Sequence, residues 1–183
     1  MAMRLNVASG SKRTELHRLN PFEVILQEDG RGRRDPPTKE EIVARALSML
    51  EKGQLQAVEC RRDNQQRPVV TYGYTRTAAA RLIREGFTYK DEHSGEEKFY
   101  QDENFTIEIK VYDCNEQEAF ERNVMENLER NITTPIDDAL NQRRFKDRYG
   151  FSDAEIAKRY RYKNTNKVVK LRKLLTLDQS IQD

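Results

Sequence analysis

The hydrophobic pattern changes period once, near residue 115, and that switch limits what the chain can fold into. Phe105, Ile107, Ile109 and Val111 alternate with Thr106, Glu108 and Lys110, the period of two expected of a half-buried strand. From Glu116 onward the apolar residues recur every three or four positions instead. Phe120, Val124 and Leu128 form one helical stripe. A chain with strands in front and helices behind is an α+β protein. Its expected organisation is a flexible arm over 1–18, a mixed domain over 19–130 and an all-helical domain over 131–183.

Punctuation sets the remaining elements. Thr38 with Glu41 reads as a capping box, and Ile42, Val43, Ala46, Leu47 and Leu50 share one face of the helix it opens, which Gly53 ends. Leu55–Arg61 and Pro68–Tyr72 read as two strands around the polar loop 62–67. Gly73 breaks the second strand, and a helix follows over Thr75–Glu85, stopping at Gly86. The polar stretch 88–104 reads as an inserted loop or surface hairpin. After the helix Glu116–Arg130, Thr134 caps a helix with Pro135 at its first position, running to Gly150. Ser152 and Glu155 form another capping box, for a helix over Asp153–Tyr160. A turn at Arg161–Lys163 leads to a last helix, Thr165–Leu175.

The two closing helices have the anatomy of a bihelical reader of the major groove. Ile156 and the small Ala157 face inward on the first, and Val168 and Leu171 on the second. The second helix opens with Asn164, Thr165, Asn166 and Lys167, all polar. Recognition helices use their N-terminal residues on base edges, where Asn pairs with adenine and Lys donates to guanine. Lys163, Lys170, Arg172 and Lys173 are placed for phosphates, and Arg143 and Arg144 add basic charge upstream. Between Arg143 and Lys173 stand twelve Lys and Arg against three acidic residues, +9 in a chain whose net charge is +2. Such concentrated charge is the footprint of a polyanion partner. An ordinary helical hairpin with a solvated charged face is the competing reading.

Two further clusters suit a phosphorylated ligand. Gly73-Tyr74-Thr75-Arg76 lies at a strand-to-helix junction, where backbone N–H groups and the helix dipole favour phosphate and Arg76 adds a forked donor. Arg122, Glu126 and Arg130 line one helix face, with Asn127 beside Glu126. A carboxylate and an amide oxygen are hard ligands fit for Mg²⁺, although a salt-bridged exposed stripe explains the same residues.

Other classes are disfavoured. No apolar run approaches the roughly 20 residues of a membrane-spanning helix, and Met1–Arg13 holds no signal-like hydrophobic segment, so a cytoplasmic protein is expected. Cys60 and Cys114 stand far apart and away from His17 and His93, as buried reduced thiols rather than zinc ligands.

In chain order these pieces resemble the ParB partition proteins. Leu19-Asn20-Pro21 and Gly53-Gln54-Leu55-Gln56-Ala57-Val58 are similar to that family's N-P and G-x-x-Q-P boxes. Gly73-Tyr74-Thr75-Arg76 with Ala78-Ala79 resembles its G-E-R-R-x-x-A box. Glu126-Asn127-Leu128-Glu129-Arg130, followed by Pro135-Ile136-Asp137-Asp138-Ala139, resembles E-N-x-x-R…P-[IL]-E-E-A and is the most specific match. The resemblance spans residues 19–178. It implies a domain binding CTP with Mg²⁺, a helix-turn-helix on double-stranded DNA at a centromere-like site, self-association as a dimer into a clamp, and a ParA-type ATPase as partner. Gln56, Gly73, Thr75, Arg76, Glu126, Asn127 and Arg130 would then surround the nucleotide, with Arg31 and Arg33 replacing the arginine of the first box. Glu126 and Asn127 would hold the metal. Tyr74 stands where the family has the Glu linked to hydrolysis, so nucleotide binding is implied more strongly than CTPase turnover. Thr75 replaces the first Arg and Ala57 the Pro. The sequence ends soon after its helices, ahead of the family's C-terminal dimerisation domain, which suggests a truncated or divergent member of plasmid or phage kind. A transcriptional regulator on the same fold, a ParB-superfamily nuclease and a DNA-binding module with a decayed nucleotide site remain open on these residues.

Overall fold

The computed structural model describes residues 14–27, 36–91, 94–130 and 133–177. They fall into two compact units: 14–27 with 38–91 and 94–115, and 36–37 with 116–130 and 133–177.

The first unit is built on a four-stranded mixed sheet. Its strands are β1 (Thr14–Leu19), β2 (Val58–Arg62), β3 (Pro68–Tyr72) and, last in sequence, β6 (Ile107–Tyr112). Their spatial order is β1-β6-β2-β3, antiparallel except for the parallel pair β2 and β6. Helices α1 (Lys39–Lys52) and α2 (Tyr74–Glu85) pack on one another. Ala46 and Met49 of α1, Ala79, Ala80 and Ile83 of α2, and Val58, Cys60, Val70, Ile107, Ile109 and Val111 of the sheet share one core. The alternation read from 105–111 is real: Ile107, Ile109 and Val111 are buried and the residues between them are not. A separate two-stranded hairpin, β4 (Phe87–Lys90) with β5 (Glu97–Tyr100), occupies the polar stretch after α2.

Three boundaries differ from the sequence reading. The division expected at residue 130 falls at 115, because Phe120 and Val124 of the helix Glu116–Glu129 belong to the core of the later helices. The arm expected over 1–18 is strand from Thr14 on, because β6 offers a free edge and β1 takes it in antiparallel register, Leu19 opposite Ile107. Residues 1–13 of that arm lie outside the described residues. The strand expected from Leu55 begins at Val58, and Leu55 is 77% exposed. Ahead of it, the Gln54 side chain stands in for the missing ladder. Its Oε1 accepts from the Glu108 N–H at 2.8 Å and its Nε2 donates to the Glu108 carbonyl at 2.7 Å. A side-chain amide thereby satisfies both peptide groups of one β6 residue where the neighbouring backbone has turned away.

The second unit is helical: α3 (Glu116–Glu129), α4 (Pro135–Tyr149), α5 (Asp153–Arg159) and α6 (Asn166–Lys173), then a 3-10 turn, Leu174–Thr176. Phe120, Val124, Phe145, Ile156, Ala157, Tyr160 and Val168 form its core. The Phe120 and Phe145 rings lie tilted with centroids 4.9 Å apart. Thr38, Thr134 and Ser152 each cap a helix in a reciprocal capping box, with Glu41, Asp137 and Glu155. Among the described residues, no helix is long and apolar enough to cross a membrane. Cys60 is buried, and desolvation, with Glu59 adjacent, pushes its thiol up to about 12, while Cys114 is half-buried rather than core.

Candidate nucleotide and nucleic-acid sites

In the first unit, a bulge sets up the turn into α2. The β2–β3 register shifts at Glu59/Cys60, and the Thr71 hydroxyl donates to the Glu59 carbonyl at 3.0 Å. Two residues later the chain reverses at Gly73, whose φ of 103° is left-handed. A Cβ there would lie 2.9 Å from Val58 Cγ2 and 3.3 Å from Val58 Cα, so only glycine fits the seam between strand and helix. Gly73 carries no side-chain cap and α2 has no acidic residue in its first turn, so the positive end of the helix dipole is not neutralised from within the helix.

Arg76 folds back over this turn. Its Nη2 donates to Gln56 Oε1 at 2.8 Å, and its guanidinium lies 5.7 Å from the Tyr72 ring centre. Two residues singled out from sequence, 20 positions apart, are thus brought together beside Gly73. Gln54 holds the loop that carries Gln56, donating to the Gln56 carbonyl at 3.0 Å. No sequence box pointed to Gln54 in that role. Thr75 is half-buried in the first turn of α2. Arg81, from the inner face of the same helix, donates to the carbonyls of Pro21 (3.1 Å) and Val24 (2.7 Å) and so pins the Asn20-Pro21 loop. Arg31 and Arg33 lie outside the described residues.

The second set sits on α3, in the second unit. Glu126 pairs with Arg130 one turn on, through Oε1, while its Oε2 is buried and has no hydrogen-bond partner among the described residues. Asn127 is 5% exposed, and its Nδ2 donates to Asn123 Oδ1 at 3.0 Å. That donation commits the amide nitrogen and leaves the oxygen as the end suited to a cation. A carboxylate oxygen and an amide oxygen are both hard donors, the kind a divalent ion completed by phosphate and water takes. Among the described residues, no group of three or more His, Cys, Asp or Glu is placed to hold a metal.

The third region is α5, the turn and α6. The turn is a Schellman motif: the Tyr162 N–H reaches the Ala157 carbonyl at 2.9 Å and the Arg161 N–H the Lys158 carbonyl at 3.1 Å. Arg161 occupies the left-handed position, φ 54°, where glycine is usual. Asn164 Oδ1 accepts from the Asn166 N–H at 3.0 Å and holds the start of α6. Lys167 extends over the Tyr162 ring, 4.2 Å from its centre. Burial pushes the Tyr162 hydroxyl up to about 12. Arg172 donates to Asp153 at 2.7 Å and is largely covered, so it ties α6 to the start of α5. Lys146 reaches the other Asp153 oxygen at 3.1 Å. These contacts, Arg172 first, hold the Asp153 carboxyl below its ordinary range. Lys163, Asn166, Lys170 and Lys173 are exposed, and Thr165 is half-buried. Arg143 is exposed, while Arg144 lies over Phe120, 4.6 Å from its ring centre.

No family model and no curated protein matches the sequence. Solved structures do. A C-terminally truncated chromosome-partitioning protein ParB from Caulobacter crescentus, complexed to the centromeric parS site, matches with a TM-score of 0.53 at 17% identity, over 91% of this chain and 75% of that one. The fold is that of ParB. A Pnob8-like ParB-N domain shares it, with a TM-score of 0.50 at 15% identity, over 81% of this chain and 51% of that one. The C. crescentus ParB complexed with CTP-gamma-S gives 0.48 at 18% identity, over 92% and 82%. The ParB fold agrees with the α+β class read from the change of period, and with the small mixed sheet ahead of helices.

Proposed function

We propose that this chain is a ParB-like DNA-segregation protein. It binds a centromere-like site on double-stranded DNA through α5 and α6, a helix-turn-helix, and uses CTP with Mg²⁺ as a clamp switch. The observation that carries the DNA half is the exposed polar and basic face of α6 on a ParB fold. The ParB from C. crescentus that shares the fold is complexed to its centromeric parS site. Lys163, Lys170, Lys173 and Arg143 serve phosphates, and Asn166 is placed for a base edge. Asn164, Thr165, Lys167, Arg144 and Arg172 shape the surface, three of them through the contacts to Asn166, Tyr162 and Asp153.

The nucleotide half rests on the box residues. Gly73, Thr75, Arg76 and Gln56 cradle a triphosphate at the α2 N-terminus. Glu126, Asn127 and Arg130, on α3, are the residues suited to a metal ion and to phosphate. Mg²⁺, held by Glu126 and Asn127, would neutralise triphosphate charge. With Tyr74 at the position of the family's Glu, the nucleotide acts as a bound switch more than as a substrate. The chain works as a dimer at DNA in the cytoplasm, with a ParA-type ATPase as partner.

The experiment is a titration of CTP, ATP, GTP and UTP with Mg²⁺, with and without DNA. CTP binds in preference to the others. Arg76→Ala and Glu126→Gln each abolish that binding, and both leave affinity for DNA without nucleotide within about twofold. Unchanged CTP affinity in either variant refutes the nucleotide site.

A further inference from the structure

One side of α6 is solvent-exposed along a single stripe, Asn166, Val169, Lys170 and Lys173, at i, i+3, i+4 and i+7. The opposite side is given to Val168, fully buried, and to Leu171 and Arg172, partly covered. Two consecutive valines therefore have opposite fates. Val168 fills the core, and Val169 stands 39% exposed between cationic and amide side chains. It is the apolar member of an otherwise polar stripe. Among the described residues, the core of the second unit takes Val168 from α6 and does not include Val169.

We infer that Val169 reads sequence by packing against the 5-methyl group of thymine. This rests on the proposal that α6 enters a major groove. In that groove the thymine methyl is the apolar feature of the base edges, and a short aliphatic side chain is its natural complement. A valine in a helix keeps essentially one side-chain rotamer, so it probes a fixed position. Asn166 lies one turn earlier, about 4.5 Å along the axis, on the same stripe. That separation is close to the step between neighbouring base pairs, about 3.4 Å. Asn166 pairing with adenine and Val169 touching thymine then address adjacent or next-adjacent pairs, while Lys170 and Lys173 hold the flanking phosphates. Lys167 and Arg172, at the margins of the stripe, are engaged with Tyr162 and Asp153 and are less free to read bases.

The test uses the full chain. Duplexes are selected from a random library, and in the enriched duplex each thymine is replaced in turn by deoxyuridine, which lacks only the methyl. Affinity is read by fluorescence anisotropy. At one thymine of each bound site the uracil duplex binds the wild-type chain roughly fourfold more weakly, the worth of one buried methyl-sized group. Val169→Ala binds the two duplexes equally, and Val169→Ile keeps the discrimination. Indifference of the wild-type chain to uracil at every thymine overturns the inference, and so does undiminished discrimination in Val169→Ala. The wild-type uracil scan decides the matter even if a variant fails to fold. If selection enriches no duplex, the DNA-binding proposal falls and Val169 with it; an enriched duplex without thymine–uracil discrimination removes Val169 alone.

Discussion

Asp153 and Asp138 stand in the same unit with environments of opposite sign. Asp153 accepts from Arg172 and Lys146, which hold its carboxyl below the ordinary value near 3.9. A carboxylate whose folded value is depressed stabilises the fold above its unfolded value, and the contribution is lost as pH falls through the folded one. Asp153→Asn should therefore lower the melting temperature at neutral pH, with the gap to wild type narrowing as pH falls below the ordinary carboxylate value. Asp138 is raised, chiefly by burial, and its Oδ1 has no hydrogen-bond partner among the described residues. The folded state then binds the proton more tightly than the unfolded chain. Its stabilisation is present at low pH and lost as pH rises through the folded value. Asp138→Asn should raise the melting temperature at neutral pH and not in acid. Thermal melts of both variants from pH 3 to 8 check the two signs together.

At the scale of elements, the α5–α6 turn places Arg161 where glycine is usual. The left-handed conformation costs a non-glycine residue about 1–2 kcal/mol. The exposed Arg161–Glu129 ion pair at 3.4 Å returns little of that, since such pairs are worth about 0–1 kcal/mol. Glycine's extra freedom in the unfolded chain costs roughly 0.5–1 kcal/mol. The balance favours Arg161→Gly by up to about 1 kcal/mol, visible as a higher midpoint in urea at unchanged slope. How legible each element is in the sequence follows the range of the forces that make it. The helix starts at Thr38, Thr134 and Ser152 are readable because a capping box closes within four residues. Strand β1 is not, because its hydrogen bonds run to β6 some 90 residues later and TELHRL carries little apolar signal of its own. The start of β2 is misplaced from sequence for a similar reason: Gln54 replaces ladder bonds by a side chain reaching Glu108, 54 positions on. The candidate site divides the same way. Gly73 and Arg76 announce themselves locally, and so does the polar tip of α6. The Asp153–Arg172 tie and the seat of Lys167 on Tyr162 become visible only once α5 and α6 are packed.

For the whole molecule, charge is divided unevenly along the chain. The segment Arg143–Lys173 carries twelve basic and three acidic residues within a chain of net charge +2. Binding to duplex DNA should weaken with salt, log affinity falling by about 0.9 per phosphate neutralised for each unit of log salt. Lys173→Ala should reduce that slope by about one at every sequence tested. Arg172→Ala should instead lower thermal stability with little change of slope, because that guanidinium is committed to Asp153. Anisotropy titrations across a salt series separate the two. The sheet order has a bearing on how the chain comes into being. Strand β6 sits between β1 and β2 yet is the last of the three to be made. A nascent chain leaving the ribosome therefore holds both flanking strands without their shared neighbour until Tyr112 has emerged. Until then β1 and the β2–β3 hairpin expose unpaired edges, of the sort that chaperones shield. Closure of the first unit waits on a strand that arrives just ahead of the basic helices, so a ribosome that stalls before residue 107 releases neither half in working form.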